Sequence, residues 1–255
     1  MLIQQTMEKL SKMKLTGILA GLQEQLESPN FSSLSFEDRL GLVVDREFQL
    51  RENRTMDRRL KETKLRIRAE IEDVDYQAPR NLDKSYFLEL AGGSWIAQHH
   101  NLILTGPTGC GKTFLACALA HRACRDGLRA SYQHFPRLIR ELVIANGDGT
   151  YHKLANKLAQ RDILVIDDWL RDPVTAEQGR LLVDLLDDRF RTKSTLLASQ
   201  LPVSAWHERF KDPTLADAVL DRIVHDSYRI ELNGDSMRKR TSTLAKEERL
   251  RRKKG

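Results

Sequence analysis

Residues Gly106–Thr113 have the sequence GPTGCGKT, which satisfies the pattern G-x-x-x-x-G-K-[ST]. The apolar run NLILT, residues 101–105, leads directly into it, and the helical stretch KTFLACALAHRA, residues 112–123, leaves it. A strand, a glycine-rich loop and a helix in this order form the phosphate-binding loop of nucleotide-binding proteins. The sequence therefore predicts a P-loop rather than an ordinary glycine-rich turn.

Each residue of this loop has an expected role toward ATP and Mg²⁺. The glycines let the backbone turn tightly, so that successive N–H groups point at the β-phosphate. Lys112 is expected to reach the β- and γ-phosphates, and the Thr113 hydroxyl to ligate Mg²⁺. The predicted nucleotide-binding residues are Gly106, Pro107, Thr108, Gly109, Cys110, Gly111, Lys112, Thr113 and Phe114.

A second motif, ILVIDD at residues 163–168, is predicted to complete the site. Four branched apolar residues in a row are typical of a central strand in a parallel sheet. Asp167, at the carboxyl end of that strand, is predicted to hold Mg²⁺ together with Thr113. Asp168 is predicted to orient and polarise the attacking water.

Short apolar stretches alternate with helical ones over residues 101–232, which predicts an α/β fold with a five-stranded parallel sheet between helices. The predicted strands are 101–105, 129–133, 163–166, 195–198 and 228–232. The predicted helices between them are 112–125, 136–145, 151–160, 176–190 and 215–224.

The N-terminal part of the chain is predicted to be a small all-α domain. Leucines recur there at helical spacing, and Ser35 marks the start of a second long helix. The segment Tyr76–Arg80, which contains Pro79, predicts a domain boundary. The predicted organisation is a helical domain for oligomerisation or DNA binding at 1–75, a nucleotide-binding domain at 76–240 and a basic tail at 241–255.

Basic residues cluster in two segments of the chain, which has 42 Lys and Arg against 36 acids. Segment 46–68 has nine basic and four acidic residues, and segment 238–254 has nine and two. Such clusters are either solvated surfaces or sites for an anionic partner, and in a nucleotide-dependent protein we favour an anionic partner. The residues predicted to contact it, which the resemblance described below makes the predicted DNA-binding residues, are Arg51, Arg54, Arg58, Arg59, Lys61, Arg240, Arg251 and Arg252.

The cellular compartment is indicated by what the sequence lacks. No stretch approaches eighteen apolar residues, so no membrane-spanning helix and no membrane partner are predicted. The three cysteines form no CxxC pair, and the first fifteen residues do not resemble a secretory signal. We therefore expect a cytoplasmic protein.

An ordered series of stretches resembles the IstB-like helper ATPases of bacterial insertion sequences, a group of the AAA+ superfamily close to the DnaC helicase loaders. The resemblance covers nearly the whole chain and rests on LSFEDRLGLVVDREFQLRENR, FLELAGGSWIAQHHNLILTGPTGCGKTFLACALA, DILVIDDW, LASQLPVSAWHERF, AVLDRIVHDSYRIEL and GDSMRK. It implies a P-loop AAA+ ATPase core with a small all-α N-terminal domain, acting in the bacterial cytoplasm.

The resemblance also implies roles for residues outside the two motifs. Gln200 matches the sensor-1 position that contacts the γ-phosphate or the attacking water, with Ser199 as the alternative. Arg222 matches the arginine finger that one subunit inserts into its neighbour's site, and Arg238 matches the sensor-2 arginine acting in its own subunit. The predicted catalytic residues are Lys112, Asp168, Gln200, Arg222 and Arg238. Because Asp168 stands where most AAA+ proteins have glutamate, slow hydrolysis is expected.

The function implied is that of an ATP-dependent DNA-binding assembly factor for transposition. Its expected partners are double-stranded DNA, which it remodels, the cognate transposase, and further copies of itself. The alternative is a DnaC-type replicative helicase loader that binds single-stranded DNA. The match at DREFQLRENR favours transposition, and no segment resembles the substrate lid of a metabolic P-loop kinase.

Overall fold

The computed structural model describes residues 2–234 and 236–237. Contacts within the chain define two compact units, Met1–Arg58 and Arg59–Gly255. Among the helices of these described residues, none is long and apolar enough to cross a membrane.

The first unit contains α1 (Leu2–Lys12), α2 (Thr16–Glu27) and the larger part of α3 (Phe36–Thr63). The Ser35 hydroxyl accepts the Asp38 N–H at 3.1 Å, so α3 begins where the sequence predicts. Helix α2 approaches α3 closely at Gly17, where a Cβ atom would lie 2.6 Å from the Glu47 Cα atom. The Glu47 carboxylate is buried and accepts the Gly17 N–H at 2.6 Å, which ties the first turn of α2 to α3.

The boundary between the units lies before the predicted one at residues 75 and 76. Residues that follow α3, including Ala69, Ile71 and Val74, are buried in the same core cluster as the helix that leaves the P-loop. The turn at Tyr76–Arg80 suggested a boundary in the sequence, but apolar residues before it pack into the second unit. The role predicted for the N-terminal helices stays a prediction.

The second unit is an α/β domain with a five-stranded sheet. Its strands are β1 (Asn101–Thr105), β2 (Ala130–His134), β3 (Ile163–Asp167), β4 (Ser194–Ser199) and β5 (Ser227–Glu231). Its helices are α4 (Lys84–Ala91), α5 (Ser94–Ala97), α6 (Lys112–Arg125), α7 (Phe135–Gly147), α8 (Tyr151–Ala159), α9 (Ala176–Asp187) and α10 (Pro213–Val224). Each of the five predicted strands is present, with ends that differ by a residue at most from the prediction.

All strand pairs are parallel, and the strand order is β2-β3-β4-β1-β5. Alternate residues of the central strands face two different cores. Leu102, Leu104 and Val165 pack with α4, α5 and α6, whereas Ile103 and Leu164 pack with α7 to α10. Helices therefore cover both faces of the sheet, which confirms the predicted fold class.

Candidate nucleotide-binding site

The two predicted motifs and Gln200 lie at the carboxyl ends of three neighbouring strands. The P-loop follows β1, Asp167 ends β3, and Gln200 follows β4, which lies between the other two. The register places Thr105 beside Ser199 and Asp167 beside Ala198. Ligands of open α/β sheets bind in the crevice at this edge, because parallel strands bring their connecting loops together there.

The P-loop has the backbone conformation that its glycines were predicted to allow. Gly106 and Gly109 have φ angles of 142° and 88°, which side-chain-bearing residues rarely adopt. A Cβ atom at Gly106 would overlap the backbone oxygen of Leu232. The loop is therefore fixed against the segment that follows β5, and other residues would be strained at these two positions.

Lys112 is buried at the start of α6, with its ammonium group over the loop. The Nζ atom donates hydrogen bonds to the backbone oxygens of Gly106 at 2.7 Å and Pro107 at 2.9 Å. Burial lowers the pKa of this ammonium group, since desolvation disfavours its charged form. A phosphate group would supply the negative charge that these neutral carbonyls lack.

Thr113 and Asp167, the two predicted Mg²⁺ ligands, are in direct contact. The Thr113 hydroxyl donates to the Asp167 Oδ2 atom at 2.8 Å, and Asp167 is 1% exposed. The Tyr132 hydroxyl donates to the same oxygen at 2.6 Å, and the Asp168 N–H donates to Oδ1 at 3.0 Å. These hydrogen bonds fix both oxygens of the Asp167 carboxylate at the end of the sheet.

Asp168 is partly exposed and lies between two polar side chains. Its Oδ2 atom is 3.0 Å from the His134 Nε2 atom, and its Oδ1 atom accepts from the Gln200 amide at 3.4 Å. The backbone of Asp168 has a φ angle of 56°, a left-handed conformation that Asp and Asn tolerate better than most residues. Strain of this kind at a strand end is common in functional sites.

Gln200 connects the P-loop to Asp168. Its Oε1 atom accepts the Thr108 hydroxyl at 2.6 Å while its amide donates to Asp168, so it joins the two motifs that the sequence predicts. Ser199, the alternative sensor residue, is fully buried and donates to the backbone oxygen of Trp169 at 2.9 Å. This hydrogen bond commits Ser199 to the backbone, so Gln200 is the better candidate.

Phe114, the last predicted nucleotide-binding residue, is partly buried. Its ring packs against the core that α6 shares with the sheet. Cys110, within the P-loop, is completely buried. Both side chains therefore support the loop from the protein side.

Arg222 lies in the last turn of α10 and contacts α9 rather than the P-loop. Its Nε atom is 2.8 Å from the Asp187 Oδ1 atom, and an Nη1 hydrogen bond of 2.7 Å goes to the Ala218 oxygen. The guanidinium group is 24% exposed. The finger role of Arg222 stays a prediction, and the role would require the guanidinium to leave Asp187.

Some of the remaining predicted residues lie outside the residues that the structure describes. Arg238, Arg240, Arg251 and Arg252 lie outside the described residues. Arg51, Arg54, Arg58 and Lys61 are exposed on α3, whereas Arg59 is half-buried. Their role in DNA binding stays a prediction, and Arg59 is the least suited to it.

Two arginines at the site were not predicted from the sequence. Arg66 lies 3.7 Å from Asp167 and 3.8 Å from Asp168, measured from its Nη1 atom. Arg80 is buried behind the P-loop, where its Nη1 atom donates to the Cys110 oxygen at 3.2 Å. Neither belongs to a periodic pattern. Tyr132 and His134, by contrast, are two residues apart in β2, and this spacing could have placed both side chains on one face had the predicted strand 129–133 been extended by one residue.

Comparison with known proteins gives this site its context. The family described as IstB-like ATP binding protein matches residues 8–245. The chain belongs to this family. A Sinorhizobium fredii protein named as an insertion sequence ATP-binding protein, y4pL, is 45% identical over 94% of this chain and 98% of its own length. The IS21 ATP-binding protein of Pseudomonas aeruginosa is 31% identical over 90% of this chain and 86% of its own length.

Solved structures share the fold of the second unit. A crystal structure of DnaI has a TM-score of 0.55 at 23% identity, covering 65% of this chain and 91% of that one. The DnaC helicase loader has a TM-score of 0.52 at 18% identity, covering 64% of this chain and 96% of that one. These likenesses concern the fold. The family match confirms an IstB-like ATP-binding protein, and the solved structures agree with its P-loop α/β fold.

Proposed function

We propose that this IstB-family ATPase assembles on double-stranded DNA in an ATP-dependent manner and assists the transposase of an insertion sequence. The observation that carries the proposal is the match over nearly the full length to proteins named for insertion sequences, combined with a P-loop site whose motif residues converge. The match includes both units of the chain.

The site residues fit Mg²⁺ and the triphosphate of ATP. Thr113 and Asp167 offer a hydroxyl and a carboxylate as adjacent oxygen ligands, and Mg²⁺ prefers oxygen ligands. The metal, when bound, neutralises charge on the β- and γ-phosphates. Lys112 binds the same phosphates, and Asp168, fixed by His134 and Gln200, orients the attacking water.

The basic face of α3 is the proposed DNA contact in the first unit. Arg51, Arg54 and Arg58 are spaced by three and four residues, so they fall on one side of a helix. Arg51 is 58% exposed in an ion pair with Glu47, and Arg54 donates to the Thr16 hydroxyl at 3.0 Å. Partly exposed arginines of this kind can exchange weak contacts for phosphates, which bind without regard to sequence.

Reversing the charges of this face should abolish duplex binding. The double variant Arg54→Glu, Arg58→Glu is expected to lose about a hundredfold or more in affinity at 0.1 M salt, because two phosphate contacts become repulsions. Fluorescence anisotropy of labelled duplex and single-stranded oligonucleotides, with and without ATP, measures the effect.

The matched control is Lys9→Glu, Lys12→Glu, which makes the same charge change on exposed residues of α1 in the same unit. The control should bind duplex normally, and both variants should bind ATP. Equal loss in both variants would mean that only the net charge matters, which contradicts a specific face. A preference of the wild-type chain for single strands would favour the helicase-loader alternative.

The proposed assembly places Arg222 in the nucleotide site of a neighbouring copy. Head-to-tail contacts build rings or helical arrays, so each site would combine residues of two subunits. Arg222→Ala and Asp168→Asn should each hydrolyse ATP poorly alone. An equal mixture should recover about a quarter of wild-type turnover, the fraction of sites in which both residues are intact. Phosphate release measures this recovery.

The control for Arg222 is Asp187→Asn, which breaks the same ion pair but keeps the arginine. This variant should retain turnover, because the finger remains available. If Asp187→Asn and Arg222→Ala lose activity equally and the mixture shows no recovery, then Arg222 is a structural ion-pair residue and the finger assignment is wrong.

A further inference from the structure

Arg66 belongs to neither of the two nucleotide-binding motifs, but its guanidinium lies beside the two carboxylates of the site. Its Nη1 atom lies 3.7 Å from the Asp167 Oδ2 atom and 3.8 Å from the Asp168 Oδ2 atom. The Tyr132 hydroxyl donates to the same Asp167 oxygen at 2.6 Å. One guanidinium group therefore lies within ion-pair distance of both carboxylates.

The oxygen that Arg66 approaches is the one that Thr113 also contacts. Asp167 Oδ2 accepts the Thr113 hydroxyl at 2.8 Å. The oxygen that Arg66 approaches is therefore an atom of a proposed Mg²⁺ ligand. A divalent cation held there would lie close to the positive charge of Arg66, and like charges a few ångströms apart repel strongly when partly desolvated. Both cations cannot keep their full interaction with Asp167.

The Arg66 side chain is able to move away from the carboxylates because it is only partly buried. The Arg66 side chain is 47% exposed, whereas the Asp167 side chain is 1% exposed and accepts hydrogen bonds from Thr113 and Tyr132. Arg66 also lines a cleft of about 430 Å³ whose wall includes Lys64, His134 and Arg137. The guanidinium therefore borders open space as well as the two carboxylates.

We propose that Arg66 is a positioning residue that holds Asp167 and Asp168 as their counter-ion and competes with Mg²⁺ for them. The proposal rests on the assignment of Mg²⁺ to Thr113 and Asp167 and is independent of DNA binding or transposition. It predicts that Arg66 sets the concentration of metal at which ATP binds productively. If Arg66 were purely structural, its removal would leave the Mg²⁺ requirement unchanged. If it helped to hold the metal, its removal would raise that requirement.

The test is the metal dependence of nucleotide binding. In Arg66→Gln, the Mg²⁺ concentration that gives half-maximal binding of a fluorescent ATP analogue should fall about tenfold, because a repelling charge is removed. Mn²⁺ binding in the presence of ATP, followed by electron paramagnetic resonance, should shift in the same direction. Arg66→Lys keeps the charge and should stay near wild type.

Two further variants complete the experiment. Arg68→Gln removes an arginine that is 87% exposed and pairs with Glu70 at 3.5 Å, so it should leave the metal requirement unchanged. Asp167→Asn should raise the requirement in either background. An unchanged or higher metal requirement in Arg66→Gln would overturn the role of Arg66 alone. An unchanged requirement in Asp167→Asn would overturn the metal site and this proposal together, while leaving the DNA-binding proposal to its own test.

Discussion

Replacing Lys112 with alanine should remove ATP binding by this protein. The ammonium group is buried and already held over the P-loop by the oxygens of Gly106 and Pro107, so it meets the phosphates without reorganisation. A charge-assisted contact of this kind contributes about 3 kcal/mol, which corresponds to a loss of roughly a hundredfold in affinity. Equilibrium binding of a fluorescent ATP analogue measures the loss.

The control is Lys153→Ala, which removes an exposed lysine from α8 in the same unit. It should bind ATP as the wild type does. Circular dichroism must show that Lys112→Ala is folded, because the substitution also deletes two hydrogen bonds within the loop. Affinity near that of the wild type in a folded Lys112→Ala protein would contradict the assignment of the phosphate site.

Replacing Asp168 with asparagine should separate ATP binding from hydrolysis. Asp167 and Thr113 keep their contact in this variant, so binding of ATP and Mg²⁺ should persist. Hydrolysis should fall by about a hundredfold or more, since an amide cannot polarise water as a carboxylate does. Asparagine also tolerates the φ angle of 56° at this position, so the loss should not come from the backbone.

Asp172→Asn is the matched control for this experiment. Asp172 lies four residues after Asp168, is 58% exposed and pairs with Arg171 at 3.0 Å. Its variant should hydrolyse ATP at the wild-type rate. Single-turnover measurements with saturating ATP would decide the question, and an undiminished rate in Asp168→Asn would mean that another group activates the water.

The sequence predicted the sheet and the two motifs well because both leave periodic or fixed-spacing signals. Runs such as ILVI read as buried strands, and the glycine spacing of the P-loop reflects a backbone requirement. Arg66 and Arg80 left no such signal. They lie in irregular segments. The position of a side chain there depends on contacts with distant elements, and such contacts leave no periodic pattern in the local sequence.

The boundary at residues 75 and 76 shows a related limit. Pro79 marks a turn, and a turn says nothing about the domain to which the preceding residues belong. Ile71 and Val74 belong to the second unit, because they are buried in the same core cluster as residues of α6 far along the chain. Finding such contacts requires the fold itself.

The alternation of side chains along β3 also constrains how this gene can change in length. Leu164 and Ile166 face one core, Val165 faces the other, and Asp167 ends the strand. Deleting one codon within β3 would turn every residue on one side of the lesion to the opposite face. If the strand before the lesion kept its register, Asp167 would take the position of Ile166 and Asp168 that of Asp167. Insertions and deletions compatible with activity should therefore fall in the connections, such as the loop between α7 and α8, and spare this strand.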